Sequence, residues 1–167
     1  MTRNILCILL LSFGLNYSMF IDDSCAQVKT EIAVLGFTGN ALNSSDLCIS
    51  CLVHDELVKT GRFNMLERWA IEKVFEEAVY PWNECQELDC AIEIGKILAV
   101  QKIILGSLNN NDKILTLTLQ LIDIKSGKIE HSFTADCKNC LKNHQLLKVI
   151  RKLCSDIADY KNGFKKE

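Results

Sequence analysis

The run Ile114-Leu-Thr-Leu-Thr-Leu-Gln-Leu121 alternates apolar with polar residues over eight positions and constrains the fold more than any other part of the chain. Successive side chains of a strand point to opposite faces, so this pattern places all four leucines on one side. One face of the strand must be buried. The flanking segments supply its neighbours. Lys102 to Ser107 is an apolar strand, and Leu108-Asn109-Asn110-Asn111-Asp112 is a short polar connection to the alternating strand. Lys125-Ser126-Gly127 makes a tight turn, and Lys128 to Ala135 returns as a hairpin partner.

The remaining segments follow the helical or the strand period. Glu31 to Phe37, bounded by Gly36 and Gly39, is a largely buried strand. The oxygens of Asn43-Ser44-Ser45-Asp46 offer a cap for a helix bearing Leu47, Cys48, Cys51, Leu52 and Val58, and this helix stops at Thr60-Gly61. Arg62 to Leu66 is a second strand. Trp69, Ile71, Val74, Phe75 and Ala78 then recur at helical spacing up to Pro81, the single proline. A Cys85 to Cys90 loop leads into a third helix, Ala91 to Val100, with Ala91, Ile94, Ile97 and Leu98 facing inward. Gly95 costs that helix about 1 kcal/mol, and close packing against a neighbouring backbone accounts for it. Leu146, Ile150, Leu153 and Ile157 form the stripe of a terminal helix. The expected order is β-α-β-α-α-β-β-β-α, an α/β (α+β) fold with a mixed sheet of about five strands and helices packed on it.

The 167 residues suit one domain. Nineteen basic residues stand against twenty-one acidic ones, with no basic block dense enough for a nucleic-acid surface. Residues 1–26 follow the logic of an export signal, in which Arg3 precedes an apolar stretch from Ile5 to Leu15 that is short for a membrane span. Ser24-Cys25-Ala26 presents small residues where a signal peptidase needs them, so the mature chain begins near Gln27. Cys25 is also a candidate lipidation position, although Asp22-Asp23-Ser24 departs from a lipobox. An uncleaved anchor reaching Ile21 is disfavoured by Asn16, Tyr17 and Ser18. The folded domain then spans residues 27–162, and 163–167 form a frayed tail.

Nine cysteines are many for this length, and loss of Cys7 and Cys25 with the leader leaves seven. Export makes disulfides the default. Cys85 and Cys90 flank a loop that a bridge could pin. Cys48 and Cys51 lie within the expected first helix, where their spacing favours buried free thiols, with a distant partner for Cys51 as the alternative. Cys137 and Cys140 follow a strand and open a helix, an arrangement that serves either a structural disulfide or a thiol redox centre with a lowered Cys137 pKa. Against the redox reading, no proline-bearing loop faces the pair. A zinc site could combine Cys48, Cys51, Cys137 and Cys140, or draw in His54 and His144, but export weakens that signal.

The rest of the inventory is poor in chemistry. Asp55-Glu56, Glu67, Glu72, Glu76-Glu77 and Glu93 sit on helical faces as solvated charge. His54, His131 and His144 have no serine or acid at a telling spacing. The Gly36 to Gly39 stretch lacks the lysine of a phosphate loop and the third glycine of a dinucleotide fingerprint. Nothing here calls for an enzyme, a metal or a cofactor.

Several short runs resemble one family: Ile32-Ala-Val-Leu-Gly-Phe37, Gly61-Arg-Phe63 before Leu66-Glu67-Arg68, Glu93-Ile-Gly95, Ile104-Leu-Gly106, and Asp123-x3-Gly127-Lys-Ile129. Together, over roughly Glu31 to Ser132, they look like the periplasmic domain of the CsgG family of curli assembly and transport lipoproteins. More distantly, the likeness reaches activators of cell-wall synthases and the amino-terminal domain of TolB-type proteins. Each run is a packing or turn element. The resemblance implies a periplasmic module, with or without an outer-membrane tether, that binds envelope proteins and is open to homo-oligomerisation. The pore-forming members carry a long membrane-spanning hairpin near Leu108 to Asp112. Here five residues take its place, which implies no pore. The rival from another class is a thiol-disulfide oxidoreductase using Cys137 and Cys140.

Overall fold

The computed structural model describes residues 29–41, 48–77, 87–138, 140 and 144–160. The leader with Cys25, the Asn43 to Asp46 cap, Pro81, Cys85 and the terminal tail lie outside them. Along the described residues the elements are β1 (Thr30–Thr38), α1 (Ile49–Thr60), β2 (Phe63–Met65), α2 (Arg68–Glu77), α3 (Leu88–Ile97), β3 (Lys102–Asn111), β4 (Ile114–Asp123), β5 (Lys128–Lys138) and α4 (His144–Tyr160). This is the expected order. The strands make one five-stranded sheet in the order β2-β1-β3-β4-β5. β1 pairs in parallel with β2 and β3, while β3, β4 and β5 form an antiparallel meander, so the sheet is mixed.

Alternation along β1 feeds two cores at once. Ile32 and Val34 join a cluster with Ile49, Val53 and Leu57 of α1 and with Ile150, Leu153 and Ile157 of α4. Ala33 and Leu35 face the other way, among Ile71 and Phe75 of α2 and Ala91 and Ile94 of α3. Helices therefore cover both faces of β1, which explains its near-continuous apolar run. Leu115, Leu117, Leu119 and Leu121 of β4 all join the α1/α4 side, as the alternation requires. The opposite side of β4 and β5 is polar from Thr116 to Gln120, while Ile122 joins the α2/α3 cluster. There Thr116 Oγ1 donates to Asp136 Oδ1 at 2.6 Å, and the Thr118 and Thr134 hydroxyls lie 3.1 Å apart.

β3 runs further than its apolar part. Leu108 is buried and Asn109 to Asn111 remain paired with β4, so the five-residue connection contracts to the turn Asp112-Lys113. Both residues adopt positive φ, 47° and 69°, the twist that matches a two-residue hairpin to its strands. The chain leaving β1 lies along the same stretch. Asn110 N donates to Asn40 Oδ1 at 2.7 Å and Ala41 N to the Leu108 carbonyl at 3.2 Å. Gly39, at φ 120°, is required at this approach, because a Cβ there would run into the Leu108 carbonyl.

Other expectations need correction. Trp69 is 67% exposed and Ile97 57% exposed, so neither belongs to an inward stripe. The inward face of α3 holds Ala91, Ile94 and Gly95. Gly95 packs against the side chains of Ile103 and Ile124 rather than against a neighbouring backbone. Glu56 is buried, not solvated. Gly61 does end α1 in the left-handed conformation, at φ 64°.

Candidate functional site

The cysteines fall into distinct settings. Cys137 and Cys140 are disulfide-bonded, with Cα atoms 5.6 Å apart. Cys137 belongs to β5, Cys140 is buried, and α4 spans His144–Tyr160. The bridge ties the end of β5 into the α1/α4 core. Cys90 is disulfide-bonded, and Cys85, its expected partner, lies outside the described residues. Cys154 is a free thiol, 1% exposed, with its Sγ 3.7 Å from the Val53 carbonyl. Burial, reinforced by the negative charge of Glu56, pushes that thiol up to about 12.

Cys48 and Cys51 are not the free thiols expected; they form a disulfide with Cα atoms 5.1 Å apart. α1 begins at Ile49, so Cys48 is its N-cap, at φ −72° and ψ 89°. This non-helical backbone removes the geometric objection to bridging two positions of one helix. The Cys48 sulfur also caps the helix, accepting from the Cys51 N–H at 3.2 Å. Both cysteine pairs of the zinc reading are thus consumed in disulfides. Among the described residues no group of three or more His, Cys, Asp or Glu side chains is placed to hold a metal.

A cleft of about 200 Å³ opens where the start of α1 meets the start of α2. Val34 and Ile71 give it an apolar floor, and Ser50, Cys51, His54 and Arg68 are among its polar lining. Arg68 organises the rim. Its Nη1 donates to Ser50 Oγ at 2.7 Å, to Cys48 Sγ at 3.2 Å and to Cys51 Sγ at 3.3 Å. Its Nε is held by Glu72 Oε1 at 2.7 Å, one helical turn along α2. His54 Nδ1 lies 3.5 Å from Asp55 Oδ1, while its Nε2 is buried with no hydrogen-bond partner among the described residues. Nothing in the linear chain relates Arg68 to a sulfur twenty residues earlier, so sequence alone assigns it no chemical role.

Behind the cleft, α1 is clamped to α4. Glu56, 5% exposed, receives Arg151 Nε at 3.1 Å and Lys59 Nζ at 2.8 Å. The Arg151 guanidinium first, and Lys59 second, hold its carboxyl below the usual glutamate range. Across the sheet, β5 is an edge strand of eleven residues, most of them exposed. The β4–β5 turn is pinned by Asp123, whose Oδ1 accepts the Ser126 N–H at 2.8 Å; that bond, with Lys102 adding to it, keeps the Asp123 carboxyl below its ordinary range. Lys102 also pairs with Glu130. Tyr160 of α4 stacks on His131 of β5 with ring centroids 4.6 Å apart. Among the described residues no helix is long and apolar enough to cross a membrane.

Comparison with known proteins matches this architecture. The C-terminal domain of LpoB from Escherichia coli superposes with a TM-score of 0.57 at 14% identity, over 80% of this chain and 93% of that one. Lipoprotein GNA1162 from Neisseria meningitidis gives a TM-score of 0.58 at 12% identity, over 82% and 99%. The LpoB C-terminal domain from Salmonella enterica gives 0.56 at 16% identity, over 66% and 83%. At such identities these likenesses establish a shared fold. A search of curated proteins found no match. The model for the family described as curli production assembly/transport component CsgG matches residues 15–114, starting before the expected Glu31 and ending at the first residue of β4. That span is well over half of the chain, and the protein belongs to the CsgG family.

Proposed function

We propose that this chain is a non-enzymatic protein-binding module of the cell envelope, acting in the periplasm in assembly or secretion and forming no pore of its own. The observation that carries the reading is the β3–β4 hairpin, which closes in the two residues Asp112-Lys113 within a member of an assembly and transport family. β3, β4 and β5, at ten, ten and eleven residues, are long enough for membrane strands. Their apolar face is already occupied by α1 and α4, so exposing it to lipid would dismantle the core. The β5 edge supports the binding role, since an edge strand offers backbone donors and acceptors to a partner's strand. Lipoprotein GNA1162 shares this fold, which supports lipidation at Cys25, and so an outer-membrane tether, as the alternative to cleavage before Gln27.

The test is to reconstitute the purified full chain in planar lipid bilayers and, in parallel, to cross-link it in intact cells. A silent bilayer together with cross-links to envelope proteins is the expected result. Unitary conductance steps, with rings that survive detergent, would overturn the reading.

A further inference from the structure

We propose that Cys48–Cys51 is a thiol–disulfide exchange site whose reducing partner is a dithiol, a role beyond that of a passive binding module. The two sulfurs sit at the N-cap and third position of α1, where backbone N–H groups and the helix dipole favour a thiolate. The independent observation is Arg68. Its Nη1 reaches both sulfurs, at 3.2 and 3.3 Å, and Glu72 holds the guanidinium in place from below. A cation on both sulfurs stabilises whichever one leaves as thiolate. Access completes the site. Cys48 is exposed and Cys51 lines the open cleft, whereas Cys140 of the other described bridge is buried.

The exchange runs in two steps. A thiolate of the dithiol attacks the exposed Cys48 Sγ, forming a mixed disulfide. The Cys48–Cys51 bond breaks, and its electron pair leaves on Cys51 Sγ beside Arg68 Nη1. The second thiolate of the dithiol then attacks its own sulfur in the mixed disulfide and expels Cys48 as a thiolate. That thiolate is held by the Cys51 N–H and by Arg68. Two electrons have passed to the cysteine pair, the dithiol has become a disulfide, and its two protons are released to solvent or to the new thiols.

The test uses the oxidised full chain, limiting dithiothreitol, acid quenching, iodoacetamide labelling and peptide mapping. Cys48 and Cys51 should be labelled about tenfold faster than Cys137 and Cys140. Arg68→Met should remove most of that advantage, and Arg68→Lys should restore part of it. On the reduced wild-type chain, the alkylation of Cys48 should reach its midpoint below the value of about 8.5 typical of a free cysteine. That pH profile needs no variant, and Arg68→Met should move it back toward the free value, a response that a helix cap alone does not give. Equal reduction rates for the two pairs, indifference to Arg68→Met, or an ordinary thiol profile for Cys48 would each overturn the assignment.

Discussion

Replacing Glu56 by glutamine removes one negative charge from a site where packing hides the carboxylate but not its partners. Glu56 is 5% exposed, yet Lys59 and Arg151 are 64% and 61% exposed. A fully dry pair that loses one member costs about 3–5 kcal/mol, because the survivor is stranded without water. Here both cations turn back to solvent, so that penalty is absent. What is lost is the charge component of the bonds at 2.8 and 3.1 Å, while the amide oxygen still accepts. Charge-assisted hydrogen bonds discounted for solvent screening give about 1–2 kcal/mol for Glu56→Gln at pH 7. The sign of the pH dependence follows from the lowered folded pKa. The ionised carboxylate contributes its full stabilisation above the unfolded pKa, and the contribution is lost as the pH falls through the folded value. Urea unfolding of wild type and Glu56→Gln at stepwise lower pH should therefore show two stability curves converging toward acid. A gap that stays constant, or widens as the pH falls, would refute the reasoning, as would a loss of 4 kcal/mol or more at neutral pH.

Leu119 is fully buried in the β4 leucine row, and Leu119→Ala should cost about 3–4 kcal/mol in urea unfolding with an unchanged m-value. Lys113 adopts φ 69° in the β3–β4 turn, so Lys113→Gly should stabilise by about 0.5–1 kcal/mol, read as a higher unfolding midpoint; a loss would show that its side chain matters more than its backbone. Cys154, buried and with its thiol pushed up to about 12, should resist iodoacetamide at pH 8 in the native chain and react on denaturation, as followed by intact mass.

Much of the candidate site was hidden from the sequence for a definable reason. A cysteine pair three residues apart was legible as a motif, but its state depended on where α1 begins. One residue decided it. With Cys48 inside the helix the pair resists bridging, and with Cys48 at the N-cap it forms the disulfide that closes the first turn. The Cys137–Cys140 pair was legible in its state as well. The spacing there suited a bridge, and the two cysteines are bonded.

The sequence by itself determined the element order, the leucine face of β4, the stripe of α4 and the glycine stop after α1. These are local signals, carried by periods of two and 3.6 residues and by the conformational freedom of single glycines. Only the tertiary structure decided that Glu56 is buried, that Trp69 and Ile97 face outward, and that Arg68 lies on two sulfurs. Each of these depends on which surface covers the residue. Arg151 lies 95 positions from Glu56, and Arg68 lies 20 from Cys48. Helical spacing says that a side chain shares a face with its neighbours one turn away. It does not say whether another helix, the sheet or water meets that face, because that depends on strand order and crossover, which place α1 against α4 and leave the outer side of α2 uncovered.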